Sequence, residues 1–302
     1  MPQPKSATPP LPQPELVADI ACRTGENPLW HPDEQRIYWT DIPNATIHRM
    51  TPGESVESFD VGVPTGGFTI QENGDLLLFM ARGAVRSWRD GAFTGTVLDH
   101  VQGEEDSRFN DVIADPAGRV FCGTMTSDSH AGRLYRLDPD GTLTCLIEGM
   151  GTPNGMGFSG DRQHFFQQDS RACNLYRYDY NEATGEIDNR EILVHVDHKT
   201  EGRGRPDGMT VDSDDRIWSA RWEGGRVVRY TLAGEELGEI LLPARNVSCI
   251  TFGGPDLRTA YITTAGGDKR PDHGELAGSL FKIRLPVPGR REFRSRIVSK
   301  LQ

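Results

Sequence analysis

A unit of two short strands joined by a polar turn recurs six times along this 302-residue chain, and that recurrence limits the fold more than any other feature. The copies begin ENPLWHPDEQRIYWTD at Glu26, GGFTIQENGDLLLF at Gly66, NDVIADPAGRVFCGT at Asn110, NGMGFSGDRQHFFQQD at Asn154, DGMTVDSDDRIWSA at Asp207 and SCITFGGPDLRTAYIT at Ser248. Each opens on a polar residue or glycine, runs into apolar residues, turns through Asp, Gly, Pro or Asn, and resumes as a second strand. Successive starts lie 40 to 53 residues apart. Length alone suggests about two domains. A multi-strand unit repeating at just above forty residues instead predicts one β-propeller.

The second half of each unit agrees. ATIHRMTPG, GAVRSWRDG, GRLYRLDPDG, CNLYRYDY, GRVVRYTLAG and GSLFKIRLP each alternate apolar and polar residues before a turn. The expected fold is therefore all-β, a six-bladed propeller of four-stranded antiparallel blades, with residues 16–302 as a single domain and blades filling about 16–288. ELVADIACRT, from Glu15 to Thr24, is expected to pair with the last blade, closing the ring and hiding both sheet edges. YNEATGEIDN and DHKTEGRGR read as polar loop insertions in the longest interval. Residues 1–15, with six prolines in the first fourteen, read as a disordered or extended arm.

A formal net charge of −11 argues against a polyanionic partner, because phosphate-backbone binding needs a basic footprint. No apolar run is long enough to span a bilayer and the N-terminus lacks a secretory signal, so neither nucleic acid nor membrane is expected as a partner and the expected location is cytoplasmic. Five cysteines without a CxxC pair read as reduced, mostly buried thiols.

In a propeller the first strand of every blade lines the central channel, so equivalent repeat positions converge on the axis. The aligned starts are Glu26, Gly66, Asn110, Asn154, Asp207 and Ser248. Two carboxylates and two amides thus point at one small volume, where the acids would repel and raise a pKa unless a cation lay between them. A divalent metal held by Glu26, Asn154 and Asp207, with Asn110 close by, is the economical reading. An all-oxygen donor set suits Ca²⁺, Mg²⁺ or Mn²⁺ better than Zn²⁺. Three protein ligands leave positions open for water and substrate, as a metal hydrolase requires.

Other constellations are weak. GxSxG, HExxH, P-loop and dinucleotide-turn motifs are missing. His195 and His198 read as surface residues. Trp88, Trp218 and Trp222 read as blade-packing or channel-rim residues, Trp222 being the one placed to reach the pocket.

The motifs GENPLW around Glu26, RFNDVIADPAGRVFCGTM from Arg108, PNGMGFS around Asn154, RPDGMTVDSDDRIW around Asp207 and FGGPDLRTAYITTA from Phe252 make the chain resemble the SMP-30/gluconolactonase/regucalcin-like family along nearly its whole length. That resemblance implies one divalent metal on Glu26, Asn154 and Asp207, with Ca²⁺ first and Zn²⁺, Mn²⁺, Mg²⁺ or Fe²⁺ as alternatives. It makes Asp207 the catalytic base and places Arg108 and Asn110 on the substrate. Some relatives carry a sugar-binding glutamate on the loop after GTM. Here that loop reads TSDSHAG, leaving Asp128 or Ser127 as the substitute substrate contact. Relatives carry a small residue or threonine where Gln168 stands, which points to an altered channel below the site.

The function so implied is metal-dependent hydrolysis of a small-molecule sugar lactone to its aldonic acid, with Asp207 taking the proton of the attacking water. A calcium-binding regulatory propeller without turnover, an interaction scaffold and a phosphotriester hydrolase are the alternatives.

Overall fold

The computed structural model describes residues 12–198 and 202–301; most of the proline-rich arm, and residues 199–201 of the second expected insertion, lie outside them. Six antiparallel sheets, five of four strands and one of five, are arranged as the blades of a propeller. Their innermost strands are Gly25–His31, Thr65–Ile70, Phe109–Ala114, Pro153–Phe158, Arg205–Val211 and Asn246–Gly253. The repeat starts of the sequence therefore fall on the strands that line the axis.

The ring closes as expected. Glu15–Ala18 pairs antiparallel with Leu280–Arg284, so the last blade takes its outer strand from the beginning of the chain. The core is distributed between blades. Trp218 of blade 5 meets Val247, Ile250 and Phe252 of blade 6, for example, and Trp30 of blade 1 stacks on Tyr261 of blade 6 at 6.1 Å. Each such buried side chain contributes roughly 1.5–3 kcal/mol, which makes every seam between blades cohesive.

Two departures from the sequence reading stand out. YNEATGEIDN is not a loop insertion, because Asn174–Asn181 and Glu186–His195 extend through it as one long hairpin. Nor do the blades account for the C-terminus. Residues 289–301 run across the mouth opposite the repeat starts, where Gln71 exchanges two buried hydrogen bonds with the backbone of Ile297 (2.8 and 3.1 Å). They end in Lys300–Leu301, a fifth strand on blade 2.

All six innermost strands break register near their first residues, between Glu26 and Leu29, Thr65 and Gly67, Phe109 and Val112, Asn154 and Met156, Pro206 and Met209, and Val247 and Cys249. A bulge there re-aims side chains that simple alternation would point elsewhere. It is the local device that turns a repeat into a site.

Candidate active site

At the mouth where the repeats begin, a cavity of about 260 Å³ is walled by Glu26, Arg108, Asn110, Asn154 and Asp207, together with Thr24, Ile42, Met125, Thr152, Ser170, Arg205 and Trp222. All the sequence-derived site residues except Asp128 line it. Asp128 is exposed on the loop after Met125, where Ser127 accepts hydrogen bonds from the Ser129 and His130 amides. Neither lines the cavity, where Asp128 or Ser127 was expected as the substitute substrate contact.

The remaining two aligned starts have different work. A Cβ on Gly66 would lie 2.0 Å from the Phe109 carbonyl oxygen, so glycine is what allows blades 2 and 3 to meet at the axis. Ser248 donates a 2.5 Å hydrogen bond to the Gly25 carbonyl, tying blade 6 to blade 1.

The polar wall is held by hydrogen bonds between blades. Asn154 donates through Nδ2 to the Asp207 carboxylate and to Ser170 Oγ (3.1 Å). Asn110 donates to the Pro153 carbonyl at 2.9 Å, and the Arg108 guanidinium donates at 2.9 Å to both Asn110 Oδ1 and the Phe109 carbonyl. Gln168, buried beneath the site, donates its amide to the Asp207 backbone carbonyl and accepts from Ser219 Oγ. The residue singled out as an oddity thus fixes the strand that carries Asp207.

The carboxylates lie in one buried space, and their proton affinities shift accordingly. Burial, then the charge of Asp111, pushes Glu26 up to about 8. Burial followed by Glu26 and Asp111 raises Asp207 well above its ordinary value. Arg108 is lowered to about 10 by burial, against the opposing pull of Glu26 and Asp207. Asp111 was not anticipated. Alternation places it opposite Asn110, but the bulge between Phe109 and Val112 leaves both residues unpaired. Its carboxyl reaches a smaller cavity of about 40 Å³ shared with Asn27, Cys249 and Glu292 of the C-terminal segment. Burial raises Asp111 to about 6, and burial plus Asp111 raises Glu292 to about 7. No residue of the repeat alignment signals Glu292.

Trp222 lines the active cavity, whereas Trp88 and Trp218 are buried in the blades. His195 bonds Asn174 at 2.7 Å and His198 lies 3.1 Å from Cys173 Sγ, so the two histidines do not act together. Of the cysteines, Cys145 alone is exposed, and all five are free.

Two carboxylates and an amide thus line a cavity with open space beside them, and each can offer an oxygen ligand, Asn154 through Oδ1, which also accepts from the Gly155 amide at 3.1 Å. That donor set fits a hard divalent cation, whose charge would offset the burial and mutual repulsion that raise both acids. The molecule is a six-bladed propeller with an oxygen-rich polar site at one mouth of its channel. Residues 24–266 match the SMP-30/gluconolactonase/LRE-like region, and the chain belongs to that family. It is 49% identical to the pentonolactonase XacC of Haloferax volcanii, over 92% of this chain and 97% of the relative. Identity to the 6-deoxy-6-sulfogluconolactonase of Pseudomonas putida is 34%, over 88% and 92% of the two chains. Identity to chicken (Gallus gallus) regucalcin is 30%, over 89% and 93%. Among solved structures, regucalcin of Agrobacterium tumefaciens, a calcium-binding protein, superposes with a TM-score of 0.86 at 23% identity, covering 95% of this chain and 98% of that one. That likeness is one of fold.

Proposed function

We propose that the protein is a metal-dependent lactonase that opens five-carbon sugar lactones to aldonic acids. The observation that carries this reading is the convergence of Glu26, Asn154 and Asp207 with Arg108 and Asn110 on one cavity. Likeness to a pentonolactonase over almost the full length supports the substrate class.

Glu26, Asn154 and Asp207 would hold the divalent cation, with Ca²⁺ the first candidate. When bound it supplies Lewis acidity at the lactone carbonyl and lowers the cost of charge on its oxygen. Asp207 takes a proton from water as the water oxygen bonds to the carbonyl carbon; the ring C–O bond then breaks, and Asp207 gives that proton to the departing ring oxygen, which becomes the hydroxyl of the aldonic acid. Arg108 has donors beyond the two it uses on Phe109 and Asn110, and these are available to sugar hydroxyls. Asn110 is held in place by Pro153, which fixes the orientation of what it touches. Asp128 has no part in this arrangement.

The test is a pH-stat assay on xylono-, arabinono-, galactono- and gluconolactone, using chelated protein reconstituted with Ca²⁺, Mn²⁺, Mg²⁺ or Zn²⁺ against metal-only controls. Turnover well above control, fastest on the five-carbon lactones and lost on chelation, is expected. Metal binding without turnover would leave a calcium-binding regulatory protein, and turnover confined to phosphotriesters would replace the substrate.

A further inference from the structure

Outside the channel, Cys22, Asp41 and His48 bring a sulfur, a carboxylate oxygen and an imidazole nitrogen within 4.8 Å of one another, all three residues buried. The trio sits at the seam where the ring closes. Cys22 is bound through its backbone to blade 6's outer loops, donating to Gly278 O and accepting from Gly267 N, each at 2.9 Å. Asp41 and His48 belong to adjacent strands of blade 1, Arg36–Asp41 and Thr46–Met50.

The fold itself explains Asp41. Its carboxylate accepts from Arg23 N (3.1 Å), Thr24 N (3.0 Å) and Asn44 Nδ2 (2.8 Å). Blade 4 repeats that brace at Asp169, which accepts from the Gly151 and Thr152 amides at 2.7 and 2.9 Å. Aligning the two braces puts Met150 where Cys22 stands and Tyr176 where His48 stands. An apolar and an aromatic residue therefore suffice for the architecture, and the thiol and imidazole of blade 1 are extra to it.

The imidazole is placed as a ligand would be. His48 is held through Nδ1 by Ser58 Oγ at 2.8 Å and stacks on Trp39, the outer support that metal-bound histidines have, leaving Nε2 for an ion. A carboxylate has about four lone-pair sites, and Asp41 uses three of them in its brace.

We propose that Cys22, His48 and Asp41 form a site for a soft divalent cation, Zn²⁺ first, that staples blade 6 to blade 1 and is distinct from the oxygen-only site in the channel. Zinc distances of about 2.0–2.3 Å place tetrahedral ligands some 3–4 Å apart, so a contraction of about 1 Å closes the trio. Binding forms an S–Zn bond, breaks the S–H bond and releases one proton to solvent per ion. With three protein donors, water takes the fourth position.

The test uses reduced full-length protein carrying Cys145→Ser, so that the exposed thiol cannot bind metal, titrated with Co²⁺ as a spectroscopic substitute for zinc. A thiolate-to-cobalt charge-transfer band saturating at one equivalent is expected. It should persist in Asp207→Asn, whose channel site is altered, and disappear in Cys22→Ser and in His48→Phe. Zinc should raise the melting temperature of the parent and leave that of Cys22→Ser unchanged. Absence of the band in the parent protein overturns the site without reference to any variant, and survival of an undiminished band in a folded Cys22→Ser protein overturns it equally. Neither result bears on lactone hydrolysis.

Discussion

The side-chain amide of Asn154 donates to the carboxylate of Asp207 across the seam between blades 4 and 5, so two residues 53 positions apart are locked as one unit. Asp207 is also crowded by Glu26 and Asp111, and its charged form is disfavoured in the metal-free protein. Asp207→Asn keeps the shape and removes both the proposed base and a carboxylate of the proposed metal site. Lactone turnover should fall by at least about 10²–10⁴-fold, the usual contribution of a positioned base. The metal-free variant should melt no lower than the parent, because a buried, repelled carboxylate has been neutralised. Steady-state kinetics and thermal melts in chelator check both halves.

The same acids make metal-free stability depend on pH. Glu26 has a folded value of about 8 against an ordinary 4.5, so the folded state holds its proton more tightly than the unfolded state does. Stability is then fully present below about pH 4.5 as far as this group is concerned, and is lost as pH rises through 8. Asp207 shifts in the same direction. Urea midpoints of chelated protein should decline from pH 5 to 8 relative to the Glu26→Gln variant. If Ca²⁺ occupies the proposed site, excess Ca²⁺ should abolish most of the decline, since a ligand that binds the deprotonated acids of the folded state alone stabilises that state.

Arg108 is buried among groups of opposite charge and has guanidinium donors left for substrate. Arg108→Met should lower kcat/KM by about ten- to hundred-fold, the equivalent of one or two charge-assisted hydrogen bonds. Most of the change should fall on KM for lactones with more hydroxyls. A comparison of gluconolactone with a lactone lacking ring hydroxyls would reveal it, because the second substrate should be far less affected.

Gln168 gives a sharper test of how the site is supported. Its amide satisfies the Asp207 carbonyl, and its own carbonyl accepts from Ser219, both inside the protein. Gln168→Leu would strand two buried polar groups, at a cost of about 1–3 kcal/mol each. A Gln168→Glu variant retains the length while replacing the donor with a further buried acid near Asp207. Leu should destabilise the fold and reduce kcat moderately, whereas Glu should do both and make the loss steeper with rising pH. Denaturant unfolding and a pH–rate profile separate the two.

Much of this site could be read from the repeats, for a physical reason. A propeller converts sequence register into spatial convergence, so Glu26, Asn110, Asn154 and Asp207 could be selected before any coordinate was known. Asp111 could not, since two-residue alternation sends it away from Asn110, and it acts on Glu26 and Asp207 through its charge from the smaller cavity it shares with Glu292. Gly66 occupies an aligned start without a side chain because Phe109's carbonyl fills the space, a contact between blades that no local pattern encodes. Arg205 and Trp222 reach the cavity from beside the aligned position and from the end of the next strand. The loop after Met125 misled in the other direction: Asp128 stands near the expected place in the chain, but the local turn around Ser127 leaves it exposed.

The C-terminal segment was illegible because it does not repeat and its partners are distant turns. Arg290 pairs with Asp215 at 2.7 Å, Arg294 with Asp33 at 2.6 Å and Arg296 with Glu72 at 3.4 Å, joining blades 5, 1 and 2 across one face. These pairs are solvent-accessible and worth at most about 1 kcal/mol each. Ile297 and Ser295 are buried, and the two hydrogen bonds between Gln71 and Ile297 are shielded from water. Burial should therefore outweigh charge. The double variant Arg294→Ala/Arg296→Ala should melt within a few degrees of the parent, and added salt should erase what difference there is. Removal of residues 289–302 should cost several times more, be insensitive to salt, and uncover the apolar neighbours of Phe293, raising binding of a hydrophobic dye. A truncated protein as stable as the parent would show that the segment lies on the propeller without holding it.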